Sequence, residues 1–173
     1  MRDINSKIDL DTWVYSPGRI PVTLDFSTPE IEESKDLARE YLKLAGEASP
    51  ANYEVFHDYF SSLKCIFLQE LLDNLDQVNM KLIERLDSDF RLTTFRDPEV
   101  KTLWYQIAIL KEYKTAWPYA NEFMITKGRM KYLLPLYKAW NKVDHKVALQ
   151  IYEAGSSLYH AMARSRIKKI LGL

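Results

Sequence analysis

Residues 97–110 read DPEVKTLWYQIAIL, and this stretch predicts the kind of fold that the chain adopts. Asp97 followed by Pro98 is typical of a helix start, because an aspartate caps free backbone N–H groups and proline suits the first turn. Apolar residues then recur three and four positions apart, at Val100, Leu103, Trp104, Ile107 and Leu110. That spacing is the period of one helix face. The stretch therefore predicts an amphipathic helix with one side in a core.

The same period recurs along the chain from about residue 27 almost to the end. Helix starts are predicted at Ser27 with Glu30 (a capping box, with Pro29 in the first turn), at Ser61 and Ser62, and at Asp144; helix ends are predicted at Gly46, Gly128 and Gly155. Short loops and successive helix pairs of similar length favour stacked helical hairpins. We expect an all-α fold of about seven to nine helices, an α-solenoid of the armadillo/HEAT-like, right-handed superhelical type.

The N-terminal part of the chain has a different composition. WVYSPGRIPVTLDFSTPE at 13–30 contains three prolines and the turn sequence Ser-Pro-Gly. Such a stretch is typical of extended chain and turns, with at most a short strand near 12–15 or 20–24. We therefore divide the chain into an extended linker at 1–26 and a helical domain at 27–173.

Charge and composition exclude several classes of function. Lys and Arg total 24 and Asp and Glu total 24, so no net charge attracts the chain to nucleic acid. No apolar run approaches the roughly 20 residues of a membrane span, and MRDINSKIDLD lacks the apolar middle of a signal peptide. A single cysteine, Cys65, precludes an internal disulfide and fits a reducing compartment. We expect a cytoplasmic protein with no nucleic-acid or membrane partner.

Candidate catalytic residues are few. None of His57, His145 and His160 has a second histidine three or four residues away, as a zinc motif on one helix requires. A metal site assembled in three dimensions stays open. Cys65 lies in the apolar run LKCIFLQ, which predicts an inert core thiol. We expect this chain to hold no catalytic residue, no metal and no cofactor of its own.

Two cations stand out in KGRMKYLLPLYKAW at 127–140. Arg129 and Lys131 are two positions apart, and such residues do not face each other on a helix. Gly128 is predicted to end one helix and Pro135 to lie in the first turn of the next. Residues 129–133 would then form a tight connection in which both cations point the same way. The spacing permits a small carboxylate receptor, whereas two unrelated solvent-facing cations are the alternative.

The stretch at 128–140 resembles the C-terminal helical domain of the leukotriene A hydrolase and aminopeptidase B group of zinc aminopeptidases. Its pattern of G-R-x-K followed by P-L-[YF]-K is matched by Gly128, Arg129, Lys131, Pro135, Leu136, Tyr137 and Lys138. WVYSPGRIP at 13–21 resembles the family segment W-L-Y-x-P-G-x-P, and 97–109 resembles the helix N-x-E-[IV]-[RK]-x-x-W. The resemblance runs from about residue 10 to the end.

The resemblance implies an enzyme with an N-terminal β domain, a thermolysin-like zinc domain and this helical domain, with the substrate cleft between domains. It places zinc in the catalytic domain, whose HExxH motif this sequence lacks. By the same likeness, Arg129 and Lys131 hold the C-terminal carboxylate of a short peptide, or the carboxylate of a lipid substrate. The expected partners are that peptide carboxylate and the zinc domain of the same enzyme.

A different class of function is a free-standing, non-catalytic helical scaffold that binds a protein partner. In such a scaffold Arg129 and Lys131 would form salt bridges with acidic residues of the same chain. A carboxylate site predicts instead that both side chains are exposed and not paired with acids. Nucleic-acid binding would need a basic stripe joining 129–131 to the run at 164–169, which we interpret as a solvated helix end. A domain cut from an enzyme also predicts an exposed apolar patch.

Overall fold

The computed structural model of the protein describes residues 9–19 and 25–173, and the regular structure in those ranges is entirely helical. The ten α-helices found there are α1 (Leu10–Tyr15), α2 (Pro29–Leu44), α3 (Val55–Asp58), α4 (Ser61–Asp73), α5 (Met80–Phe90), α6 (Pro98–Leu110), α7 (Trp117–Thr126), α8 (Met130–Val143), α9 (His145–Gly155) and α10 (Ala161–Leu171). Eight of them have ten or more residues, and α1 and α3 are shorter. The all-α prediction is confirmed.

The helices stack in chain order. The even-numbered helices form one layer, in which α2 packs on α4, α4 on α6, α6 on α8 and α8 on α10. On one flank of this layer α7 packs against α9; α7 also contacts α6 and α8, and α9 contacts α8 and α10. Each even-numbered helix is thus followed by a return segment that brings the next one alongside, which is the arrangement of stacked helical hairpins. None of the helices in the described ranges is long and apolar enough to cross a membrane.

Helix α6 occupies the centre of the core. Its predicted stripe is buried at Val100, Trp104 and Ile107, while Leu103 and Leu110 are only partly buried. Three residues outside that stripe, Tyr105, Ala108 and Ile109, are also fully buried. The reason is that α6 lies between α4 and α8 and is crossed by α7, so it is covered on more than one side.

Two of the predicted helix starts are capped as expected, and the serine caps are not. Asp97 and Asp144 cap α6 and α9 through backbone N–H groups, as predicted. The predictions at Ser27 and at Ser61 and Ser62 are wrong. The Ser61 hydroxyl donates to the Asp97 carboxylate at 2.5 Å, and α4 begins after Phe60. Helix α2 begins after Thr28, with Pro29 in its first turn.

Part of the N-terminal segment is helical where extended chain was expected. Leu10–Tyr15 forms α1, and the Asp9 carboxylate accepts a hydrogen bond from the backbone N–H of Thr12 at 3.1 Å. The suggested strand near 12–15 is therefore wrong, and the one near 20–24 lies outside the described residues. Helix α1 buries none of its side chains against the described part of the chain. Its apolar residues Leu10, Trp13, Val14 and Tyr15 are exposed.

The three glycines predicted as helix ends have different physical roles. Gly46 follows the left-handed end of α2 and has a φ of +88°, as a helix stop requires. Gly128 is not left-handed, and a β-carbon there would approach the carbonyl oxygen of Leu158 to 3.1 Å. A β-carbon on Gly155 would overlap the hydroxyl of Tyr159. At the latter two positions the glycine provides space for a neighbour.

Replacing Asp97 with alanine is expected to destabilise the protein by about 1 kcal/mol at pH 7, because α6 loses its N-cap. Burial raises the pKa of the Asp97 carboxyl, but hydrogen bonds from Ser61 and from the N–H groups of Glu99 and Val100 outweigh it, so the pKa is lowered. A lowered pKa means that the stabilisation is present above the unfolded value of about 3.9 and is lost as the pH falls through the folded value. Urea unfolding should therefore show a wild-type advantage at pH 7 that shrinks in acid. An advantage independent of pH would contradict this explanation.

Candidate functional site

The backbone around Arg129 and Lys131 differs from the predicted tight connection. Helix α8 begins at Met130 and runs through Pro135, which lies inside the helix and not in its first turn. Arg129 is the N-cap residue with φ −76° and ψ 118°, and Lys131 is the second helical residue. Because Arg129 stands just outside the helix, the rule that residues two apart diverge does not apply to this pair. The prediction that the two side chains converge is confirmed for a different reason.

Both cations converge on Glu99, in the first turn of α6. Lys131 Nζ lies 2.5 Å from Glu99 Oε2, and Arg129 Nη1 lies 3.6 Å from Glu99 Oε1. The expectation that these cations are not paired with acids is therefore wrong. The packing of α6 on α8 is the cause, since it brings the start of one helix to the start of the other.

Tyr132 connects the cations to the acid. Its hydroxyl accepts a hydrogen bond from Arg129 Nη1 at 3.0 Å and donates one to Glu99 Oε1 at 3.0 Å. The Arg129 guanidinium also lies over the Tyr132 ring, 5.2 Å from its centre. Tyr132 is only 7% exposed and so holds this geometry in place. We call Glu99, Arg129, Lys131 and Tyr132 the anchor cluster.

The anchor cluster carries a net positive charge. The hydrogen bond from Lys131 lowers the pKa of the Glu99 carboxyl; partial burial opposes this, and Tyr132 and Arg129 add to the lowering. Glu99 is therefore ionised at neutral pH, and one negative charge stands against two positive ones. The side chains of Arg129 and Lys131 are 62% and 61% exposed. The prediction that both cations face solvent is confirmed, and both retain donors for a further anion.

An open groove of about 530 Å³ adjoins the cluster between α4, α6 and α8. Most of its wall is apolar, and Glu99, Lys131 and Tyr132 also line it; the apolar wall consists of Cys65, Ile66, Leu72, Leu103 and Pro135. The Cys65 thiol is half-buried, so it is more exposed than the core thiol that was predicted. Burial raises the pKa of this thiol. The groove thus places an ammonium group beside an apolar wall without a reactive thiolate.

The three histidines are in separate local contacts. His145 Nδ1 lies 2.6 Å from the side-chain oxygen of Asn141, and His160 caps α10 through Nδ1. The His57 ring packs edge-on against Phe56 and Phe90. Within 9–19 and 25–173 there is no group of three or more His, Cys, Asp or Glu side chains placed to hold a metal ion.

The basic run of α10 lies at a different concavity. Arg164, Lys168 and Lys169 line a mostly polar hollow of about 640 Å³ with residues of α9 and the chain end. Among the described residues, no acidic side chain lies within ion-pair distance of these three. Neither Arg129 nor Lys131 lines this hollow.

Sequence reasoning missed two members of the anchor cluster, Glu99 and Tyr132. Tyr132 is three residues from Arg129, so a search of the nearest residues along the chain would have found it. Glu99 lies 33 residues before Tyr132, and no local period relates it to α8. Its only signal was its place in the motif at 97–109.

The match to a known family covers most of the helical layers just described. Residues 59–171 match the family model described as leukotriene A4 hydrolase, C-terminal. This is more than half of the chain, and the chain therefore belongs to the leukotriene A4 hydrolase C-terminal family.

Among curated relatives, the chain is 30% identical to leucine aminopeptidase 2 of Yarrowia lipolytica over 98% of its length. It is 29% identical to leucine aminopeptidase 2 of Pyricularia oryzae over its whole length. The chain spans only 27% and 28% of the length of these two relatives.

Solved structures show the same fold. The structure of native yeast LTA4 hydrolase superimposes with a TM-score of 0.80 at 21% identity, covering 99% of this chain and 30% of that one. The complex of yeast LTA4 hydrolase with bestatin gives 0.77 at 21% identity, covering 98% of this chain and 30% of that one. The helical layers of this chain thus have the same fold as the matched part of yeast LTA4 hydrolase.

Proposed function

We propose that this chain is the substrate-anchoring domain of a zinc aminopeptidase, and that Arg129 and Lys131 bind the C-terminal carboxylate of a short peptide. The observation that carries the proposal is the convergence of two mostly exposed cations on a single carboxylate beside an apolar groove. Membership of the leukotriene A4 hydrolase C-terminal family supports it. The lipid carboxylate named by the resemblance would present the same chemical group.

The donors needed for a second carboxylate are present in the anchor cluster. A lysine ammonium has three N–H donors and an arginine guanidinium has five. Glu99 lies at hydrogen-bond distance from Lys131, and Tyr132 takes one bond from Arg129. A peptide carboxylate can therefore reach the exposed sides of both cations while Tyr132 keeps its contacts. Each such charge-assisted hydrogen bond contributes roughly 1.5–3 kcal/mol.

The adjoining groove suits the peptide's last side chain. A carboxylate on Lys131 lies at the groove wall, and its wall is mostly apolar. Burial of apolar area there contributes about 25 cal/mol per Å² and favours a peptide with an apolar last residue. The carboxylate fixes the end of the peptide, and the groove holds the residue next to it.

Peptide hydrolysis itself is assigned to a separate zinc domain of the same enzyme. Zinc in such a domain polarises the peptide carbonyl and activates water. The described residues of this chain include no group of side chains placed to hold a zinc ion. The role left to this chain is to bind and orient the substrate. A cytoplasmic location is a further proposal and rests on the single cysteine.

One observation favours the free-standing scaffold as a second candidate. Glu99 forms ion pairs with both cations, as a purely structural role predicts. The exposed apolar residues of α1 would then meet a protein partner. In that case the anchor cluster would not respond to peptides.

A titration separates the two functions. We expect the dipeptide Ala-Leu with a free carboxylate to shift the backbone amide NMR signals of Glu99 and of 129–132. The C-terminal amide of the same dipeptide keeps every atom of the apolar side chain but carries no negative charge. Equal responses to the acid and the amide, or none to either, would reject the carboxylate site and leave the scaffold.

A further inference from the structure

We infer that Glu99 is an internal counter-ion that limits how tightly the Arg129 and Lys131 pair binds a carboxylate, so that the peptide left after cleavage can leave. This inference rests on the proposed function. It gives Glu99 a role in specificity and affinity beyond that of the two cations.

The contacts place Glu99 where it competes with a ligand. Its Oε2 atom holds Lys131 at 2.5 Å, and its Oε1 atom accepts from Tyr132 and faces Arg129 at 3.6 Å. An incoming carboxylate needs N–H donors of the same two cations. It must therefore share them with a carboxylate that is already present.

Glu99 is also held in place by its own helix. It is the second residue of α6, and its backbone N–H donates to the Asp97 carboxylate at 2.7 Å. Its side chain is 32% exposed and is fixed at the other end by the nearly buried Tyr132. Because it has little freedom to swing away, its negative charge stays in the site when a ligand binds.

The size of the effect follows from the distances. Two carboxylates that share one ammonium group lie about 4 Å apart, and their repulsion in water weakens binding roughly fivefold, more where the site is partly buried. Glu99 also holds the side chains of Arg129 and Lys131 in place. Its loss would free them and so lower the affinity for a carboxylate, which is opposite to the effect of removing the repulsion. For exposed ion pairs, the loss of affinity from such freed side chains is up to about fivefold and is often not measurable. The repulsion is therefore at least as large as this cost, and it is larger where the site is partly buried.

A moderate affinity has a functional consequence for an aminopeptidase. Removal of the N-terminal residue leaves a shortened peptide with the same C-terminal carboxylate as the substrate. The anchor cluster binds that product through the same group. A pair of cations without Glu99 would retain the product longer, whereas the net charge of plus one permits release.

The test compares carboxylate affinity in matched variants of this chain. Dissociation constants for Ala-Leu and for its C-terminal amide are measured by NMR titration on wild type, Glu99→Gln and Glu47→Gln. Glu47 forms an exposed ion pair with Lys81 at 2.7 Å, and neither residue lies on the helices that form the groove. Its substitution changes the net charge equally. We expect Glu99→Gln to bind the acid up to about fivefold more tightly, with the amide and the Glu47→Gln variant unchanged.

A second variant, Glu99→Asp, tests whether the negative charge of Glu99 sets the affinity. Glu99→Asp keeps the negative charge and should stay within about twofold of wild type for the acid. If Glu99→Gln binds the acid no better than wild type, or worse, while wild type still prefers acid to amide, the inference is overturned and the proposed function stands. If wild type does not distinguish acid from amide, the proposed function fails and the inference with it.

Discussion

Replacing Arg129 with alanine is expected to weaken binding of a peptide with a free C-terminal carboxylate roughly ten- to hundredfold. The loss of a charge-assisted hydrogen bond costs roughly 1.5–3 kcal/mol, and each 1.4 kcal/mol is tenfold in affinity. Arg129 is mostly exposed, and its side chain contacts only Tyr132 and Glu99 among the described residues. The change should therefore lower affinity without unfolding the protein. Titration with Ala-Leu on wild type and variant measures it.

The control for this prediction is Arg39→Ala. Arg39 is a half-exposed arginine that forms ion pairs with Asp36 and Glu70 on α2 and α4, so its removal changes the charge equally. We expect the control to bind the acid as wild type does. Mixing each variant with a zinc catalytic domain of the same family, and measuring kcat/KM for peptide cleavage, extends the comparison. An equal kcat/KM for peptide cleavage with wild type and with Arg129→Ala would reject the anchoring role.

Replacing Gly46 with alanine is expected to destabilise the protein by about 3 kcal/mol or more. Gly46 has a φ of +88°, and a left-handed residue with a β-carbon costs roughly 1–2 kcal/mol. The added β-carbon would also overlap the backbone of Lys81 and Leu82 at the start of α5. Backbone atoms cannot rotate aside as a side chain can. The turn after α2 and the first turn of α5 would have to separate, which chemical denaturation would detect.

Gly172 provides the matched control for the Gly46 prediction. It has a similar left-handed φ of +74°, and an added β-carbon there meets no described atom within 4 Å. Gly172→Ala therefore carries the backbone strain without the overlap, and should cost about 1–2 kcal/mol. Equal losses at both glycines would show that the approach of Gly46 to α5 contributes nothing to stability.

The all-α fold could be predicted because its signals are local. The helical period, Asp97 and Asp144 as caps, and Gly46 as a helix stop each depend on neighbours within one turn. The cap predicted at Ser61 failed because a distant partner competes. The Ser61 hydroxyl donates to Asp97, 36 residues away, and no pattern within one helix contains that information.

The errors at the N-terminus and in α8 have a common cause. In a sequence, proline predicts extended chain or a helix start. Pro17 and Pro21 follow α1 and so do not prevent it, and Pro135 lies well inside α8. Proline removes one N–H donor, and a helix packed on two neighbours withstands that loss. The tertiary contacts of α8 with α6 and α10 decide the outcome, and they are not local.

The candidate site was half predictable. The motif at 128–138 led to Arg129 and Lys131. Their convergence was predicted from a tight connection at 129–133 between Gly128 and Pro135, whereas α8 begins at Met130. The acid that joins them was not found, because Glu99 reaches the cluster only through the packing of α6 on α8. Its presence changes the expected charge of the site from plus two to plus one.

The most direct test of the central claim is a crystal structure of this protein with Ala-Leu bound. We predict that the ligand carboxylate lies between Arg129 and Lys131, with N–O distances of about 2.7–2.9 Å. The leucine side chain should lie in the groove between α4, α6 and α8. A dipeptide bound elsewhere, while Arg129 and Lys131 keep Glu99 as their only anion, would contradict the claim.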